Sequence, residues 1–144
     1  MAVNRHFVPH RPAAVFAVLR DGKSYARWVV GTSEIRDVDP GWPSPGSCLH
    51  WQAGRGPLRK EDVTCSLRVV EDVELEAEVV GRPLGTARVT ITLDPVRDGC
   101  LITMDEHPLH GPLRTLHNRG LDMLIWLRNV ETLRRLEREV ERRR

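Results

Sequence analysis

Apolar and polar positions alternate through the middle of the chain, which is the period-two pattern of β-strands. The clearest case is 73–79, where valine, leucine and alanine positions alternate with three glutamates. Turn residues such as Asp98 and Gly99 separate neighbouring segments by short connections, and these favour an antiparallel meander. The pattern predicts six consecutive strands, over 32–38, 47–53, 62–70, 73–79, 86–94 and 100–107.

The two ends of the chain follow other patterns. Residues 3–8 have strand character, and 12–21 and 24–28 read as short helices, the first with Pro12 in its first turn. The chain from 112 onward is helical in pattern, and 121–143 alone gives a helix of about 35 Å.

An apolar stripe follows the long helix. It contains Met123, Trp126, Val130, Leu133 and Val140. Additional apolar residues at Leu121, Leu124, Ile125 and Leu127 widen the stripe in the first half, which predicts that this half is enclosed on several sides. The charged second half is predicted to be solvated.

This order of elements predicts an α+β fold. A sheet with one apolar face and one long helix with an apolar stripe must cover each other. The 144 residues suit one domain, so we expect a single domain over 1–144.

Several segments resemble the SRPBCC superfamily, the helix-grip fold of START lipid-transfer domains, birch-pollen-type allergens and polyketide cyclase/dehydrase-like proteins. The likeness is greatest to small bacterial members of the polyketide cyclase and lipid-transport type. The segments that carry it are 11–21 (RPAAVFAVLRD), 25–28 (YARW), 45–47 (PGS), 111–113 (GPL) and 128–136 (RNVETLRRL). The resemblance implies about seven antiparallel strands wrapped around the long C-terminal helix, with an internal apolar cavity for a hydrophobic or aromatic small molecule.

The implied fold, together with strand parity for the strand residues, selects candidate ligand-binding residues. They are Trp28, Leu49, Trp51, Met104, Glu106, Leu116, Gly120, Leu124 and Leu127. Ordinary core packing is the alternative reading for the apolar members. Trp42 lies in a loop rich in proline and glycine, and we expect it at the lip of the pocket or packed at the edge of the domain.

Glu106 is the weak candidate for catalysis, because parity places it on the inward face with Ile102 and Met104. One reading is a structural carboxylate paired with Arg114 or Arg119, and the other is a ligand-orienting or acid/base group. Burial is expected to raise the pKa of Glu106 unless an arginine compensates.

Composition excludes several function classes. Lysine and arginine number 22 against 20 acidic residues, so the net charge of +2 argues against a nucleic-acid surface. No apolar run reaches the length of a membrane span. The three cysteines match neither a disulfide framework nor a metal motif, which favours a reducing, cytoplasmic location. The histidines lack metal-ligand spacing, and no phosphate or nucleotide fingerprint occurs, so we expect no metal and no cofactor.

Three functions remain open. The first is a carrier or binder of a hydrophobic or aromatic, polyketide- or lipid-like small molecule. The second is a polyketide cyclase/aromatase-type enzyme that combines pocket shape with an acid/base residue such as Glu106. The third is an interaction module, in which the apolar stretch 121–127 also suits a homodimer contact.

Overall fold

Seven strands form one antiparallel sheet in residues 2–83, 85–111 and 119–143, the part of the chain that the computed structural model describes. The strands are β1 (Ala2–Val8), β2 (Glu34–Val38), β3 (Cys48–Ala53), β4 (Lys60–Val70), β5 (Glu74–Gly81), β6 (Gly85–Val96) and β7 (Gly99–His110). Their spatial order is β1-β7-β6-β5-β4-β3-β2, so every sequential pair from β2 to β7 is adjacent and β1 closes onto β7.

Three α-helices accompany the sheet in these residues. They are α1 (Pro12–Arg20), α2 (Tyr25–Trp28) and α3 (Arg119–Arg142), with short 3₁₀ turns at Gly22–Ser24 and Gly56–Leu58. Pro12 begins α1 because its missing N–H is not needed in a first turn. The α+β order predicted from the sequence is confirmed, with ends displaced by a few residues.

The second half of α3 packs one face into the core of the molecule, contrary to the prediction that this half is solvated. Leu133, Leu136 and Val140 are fully buried in one cluster with Phe16 of α1 and Ile102 of β7. They repeat at spacings of three and four, which puts them on one helical face. This half therefore anchors α3 to α1, α2 and β1.

The first half of α3 contradicts the prediction that it is enclosed on several sides. Met123, Leu124, Trp126 and Leu127 are exposed. Leu121 and Ile125 face the sheet and are partly buried, because they share the inward face of the helix with the buried Asn129. A homodimer contact on the exposed residues stays a prediction. No helix in the described residues is both long and apolar enough to cross a membrane.

The alternation over 62–70 predicts that Val63, Cys65, Leu67 and Val69 share one inward face, and strand β4 differs from this at all but Val69. Leu49 of β3 pairs with Thr64, so Thr64 shares the inward face and Leu67 is exposed. An irregularity between Ser66 and Arg68 then returns Val69 to the core side. The apolar alternation of this strand therefore lies mostly on the outer face.

Cys48 and Cys65 form a disulfide, contrary to the prediction that the cysteines make no disulfide framework. The two residues are direct partners on the adjacent strands β3 and β4, with Cα atoms 4.0 Å apart. A spacing of 17 residues does not reveal that pairing, because it depends on the register of the two strands. Cys100 is a free, buried thiol, and burial raises its pKa to about 11.

Candidate functional site: an apolar cavity under the long helix

A cavity of about 450 Å³ lies between the inner face of the sheet and the first half of α3. Strands β3 to β7 supply one wall, the segment after α2 supplies the rim, and Leu121, Leu124, Ile125 and Arg128 of α3 supply the other wall. The α3 residues recur at spacings of three and four, which places them on one stripe of the helix. The size and the apolar lining of the cavity match those of small-molecule sites in proteins.

Six of the residues selected from the sequence lie on the cavity wall. They are Trp28, Leu49, Trp51, Met104, Glu106 and Leu124. Each of the strand residues among them points inward because its strand alternates faces and the opposite face is solvated.

Two of the selected residues do not line the cavity. Gly120 is exposed, and Leu127 is 51% exposed, because both lie on the outward side of α3 relative to Leu121 and Ile125. Leu127 follows Leu121 by six positions, which is not a whole number of helical turns, so its side chain points away from the cavity. Leu116 lies outside the described residues.

Trp42 is buried and lines the cavity, so it does not form an exposed lip of the pocket. Its indole nitrogen donates to the Leu19 carbonyl at 3.1 Å, and its ring meets Tyr25 edge to face at 5.8 Å. The ring is buried because the end of α1 offers both an apolar surface and a carbonyl acceptor for the indole N–H.

Four aromatic residues line the cavity: Tyr25, Trp28, Trp42 and Trp51. They present mainly carbon to it, because their polar atoms are already hydrogen-bonded to other protein groups. Trp28 donates to the Ser24 hydroxyl at 3.1 Å, and Trp51 donates to the Thr64 hydroxyl at 3.0 Å. The Tyr25 hydroxyl donates to the Leu19 carbonyl at 2.8 Å, and burial raises the pKa of Tyr25 above its ordinary value. A ligand therefore meets fixed, neutral aromatic surfaces here.

Glu106 is the carboxylate of this cavity, and its side chain is only 12% exposed. Its Oε1 accepts from Nδ2 of the fully buried Asn129 at 3.2 Å and lies 3.7 Å from Nη1 of Arg128. The predicted partners were Arg114 and Arg119. Arg114 lies outside the described residues, and the described partner is Arg128, which is nine positions beyond Arg119 on α3.

Arg128 lines the cavity beside Glu106, although it is not among the residues predicted from the sequence. Its Nε donates to the Val30 carbonyl at 3.1 Å, which ties α3 to the rim after α2. Thr132, one turn further, accepts from the Val30 amide at 3.2 Å. The sequence contains one indication of this position, because Arg128 follows Leu121, Leu124 and Ile125 at helical spacing and therefore lies on the same stripe of α3.

Metal binding has no support from the described residues, which contain no group of three or more histidine, cysteine, aspartate or glutamate side chains placed to hold an ion. A cofactor fingerprint does not occur in the sequence either. The arrangement offers shape, apolar surface and one pair of oppositely charged side chains, Glu106 and Arg128.

An antiparallel sheet that grips a long C-terminal helix over an apolar cavity defines the helix-grip class of proteins. The chain belongs to the polyketide cyclase / dehydrase and lipid transport family, whose model matches residues 3–141. The SRPBCC resemblance is thereby confirmed.

Solved structures with the same fold have little sequence identity to this chain. Protein NE0264 from Nitrosomonas europaea is 16% identical, with 99% of this chain and 94% of that chain covered and a TM-score of 0.71. Ara h 8.0201 is 14% identical, with 96% and 95% covered and a TM-score of 0.70. The di-domain ARO/CYC StfQ from the steffimycin biosynthetic pathway is 10% identical, with 98% of this chain and 50% of that chain covered and a TM-score of 0.74. A comparison with curated proteins finds no match.

Proposed function

We propose that this protein binds a hydrophobic or aromatic small molecule, of polyketide- or lipid-like character, in the cavity between the sheet and α3. The observation that carries the proposal is the cavity itself, about 450 Å³ of mainly aliphatic and aromatic lining with the Glu106–Arg128 pair at one side. Burial of an apolar ligand with few polar contacts gives dissociation constants in the micromolar range, or about 7 to 9 kcal/mol of binding free energy.

Membership of a family described by both cyclisation and lipid transport supports a ligand of this kind. Entry of a ligand is also supported by Leu124, which lines the cavity and is itself exposed to solvent.

Filling the cavity tests this function. N-phenyl-1-naphthylamine is a neutral dye that fluoresces strongly when it leaves water. We expect saturable binding to the wild-type protein, and at least about tenfold weaker binding to Ala77→Trp, because the added indole occupies the space of the ligand.

Glu78→Trp is the matched control, because Glu78 is the next residue of β5 and points to the other face of the sheet. It should bind the dye like the wild type. Both variants are checked for folding by circular dichroism. Equal loss of binding in the two variants, or no binding to the wild type, would refute the cavity as the site.

A second candidate is a polyketide cyclase/aromatase-type enzyme, and the position of Glu106 favours it. Both contacts of Glu106 with described residues involve Oε1, and Oε2 has no partner among the described residues. A carboxylate in that position can accept a proton from a substrate carbon or hydroxyl that the cavity has oriented. For this role Glu106→Gln should abolish turnover of a polyketide-like chain and preserve dye binding.

A further inference from the structure

The ionised groups on the cavity wall form one compensated pair. Among the described lining residues, only Glu106 and Arg128 carry charge at neutral pH, since Tyr25 keeps its proton. Their charges are opposite, so the described wall has no net charge.

The two side chains of the pair differ in their exposure to solvent. Glu106 is nearly buried, whereas the side chain of Arg128 is 40% exposed and is held at the rim by the Val30 carbonyl. Asn129 donates to Glu106 and accepts from Nη1 of Arg128 at 3.4 Å, so one buried amide holds both partners in place. The carboxylate therefore stays close to any ligand that fills the cavity.

An ionised ligand is expected to bind weakly in such a site. A ligand carboxylate has to leave water, and it gains no net positive charge in exchange. If it took Arg128 for itself, Glu106 would be left as a second negative charge within the same enclosed space, held there by Asn129 and by strand β7. A ligand cation meets the equivalent problem with Arg128.

A neutral ligand with a hydroxyl group avoids this cost. Its apolar body fills the aromatic and aliphatic cavity, and its hydroxyl can donate to Oε2 of Glu106, which is a charge-assisted hydrogen bond. Specificity of this kind arises from the penalty on the wrong partner as much as from attraction of the right one.

We propose that Glu106 and Arg128 together select a neutral, hydroxyl-bearing ligand and reject hydrophobic acids and amines of the same size. This inference rests on the proposed function, because it concerns which ligands the same cavity accepts. It makes Glu106 and Arg128 specificity-determining residues.

Three ligands that share one ring system test the selection at pH 7: 2-naphthol, which is neutral, 2-naphthoate, which is an anion, and 2-naphthylmethylamine, which is a cation. Their dissociation constants are measured by displacement of N-phenyl-1-naphthylamine. For the wild-type protein we expect 2-naphthol to bind at least about tenfold more tightly than either charged ligand.

Charge-changing variants should shift the preference in opposite directions. Glu106→Gln leaves Arg128 uncompensated, so 2-naphthoate should gain at least about tenfold in affinity and 2-naphthylmethylamine should not. Arg128→Gln leaves Glu106 uncompensated, so the cation should gain and the anion should not.

Glu131→Gln is the control for general electrostatics, because Glu131 lies on α3 outside the cavity lining, beside Arg135 and Arg138. It should leave all three affinities unchanged. If wild-type protein binds 2-naphthoate as tightly as 2-naphthol, the selection is refuted even when a variant fails to fold. Dye binding without selectivity overturns this inference alone, whereas absence of all binding overturns the proposed function as well.

Discussion

Replacing Leu133 with alanine is expected to lower the free energy of unfolding by about 3 kcal/mol. Leu133 is 1% exposed and lies in the cluster that joins the second half of α3 to α1 and the sheet. The substitution removes buried methyl groups and leaves a void in a closely packed region, and both effects destabilise the folded state. Urea denaturation at neutral pH measures the change.

Leu127→Ala is the control on the same helix. Leu127 is 51% exposed, so its truncation should alter the free energy of unfolding by less than about 0.5 kcal/mol. The reverse order of effects would mean that the first half of α3 is the buried one, and it would invalidate the position of the helix described above.

Replacing Glu139 with glutamine is expected to cost about 2 kcal/mol at pH 7. The Glu139 side chain is 4% exposed, and its oxygens accept from Arg27 of α2 at 2.9 and 3.0 Å and from Arg142 at 2.8 and 3.2 Å. Arg143 donates two further hydrogen bonds to Oε2 of Glu139, both at 3.2 Å. Glutamine keeps the volume but loses the charge that these guanidinium groups surround.

The pH dependence of this effect has a definite sign. The hydrogen bond from Arg27 is the largest cause that lowers the pKa of Glu139, from 4.5 to about 2. A carboxyl whose folded-state pKa is depressed contributes its stability above the unfolded-state pKa and loses it as the pH falls. A shift of this size corresponds to about 3 kcal/mol, and we expect less because Arg27 and Arg142 are largely exposed to solvent.

Urea denaturation of wild type and Glu139→Gln, from neutral pH down to about pH 2, tests whether the charge of Glu139 stabilises the fold. The difference in unfolding free energy should be constant above pH 5 and should shrink between about pH 4.5 and pH 2. Glu131→Gln, which removes a more exposed carboxylate of the same helix, should show a much smaller difference at pH 7. A Glu139 difference that does not change with pH would contradict the charge-based account.

The order of elements was predictable because each element carries its own local pattern. Strand β5 alternates cleanly, and its register places Leu75, Ala77 and Val79 inward, as its glutamates require. The apolar stripe of α3 likewise predicted the burial of Leu133 and Val140. The family resemblance then supplied the way these elements assemble.

Features that depend on pairing between strands were not predictable. Apolar residues of β4 alternate as convincingly as those of β5, yet the pairing of Leu49 with Thr64 turns most of them outward. The same register joins Cys48 to Cys65. The apolar character of Leu127 predicted that its side chain is enclosed, but the side chain is exposed, because an apolar residue on a helix is not necessarily buried.

The candidate site was predictable only in its apolar part. Leu49, Trp51 and Met104 follow from strand parity, and Trp28 follows from the family resemblance. The polar partner of Glu106 did not follow, because Arg128 and Asn129 reach it from a helix more than twenty positions away in the sequence. Contacts of this range depend on how α3 is rotated over the sheet, and that rotation is fixed by the packing of its second half.

The location of a bound ligand is tested most directly by methyl resonances of methionine. The chain has three methionines, and Met104 lies on the cavity wall whereas Met123 is exposed on α3 outside the lining. With ¹³C-methyl-labelled methionine, titration of N-phenyl-1-naphthylamine should shift the Met104 signal through the ring current of the dye, with the same dissociation constant as the fluorescence, and should leave Met123 in place. A saturable shift of Met123 with Met104 unchanged would place the dye on the exposed face of α3 and would contradict binding in the cavity.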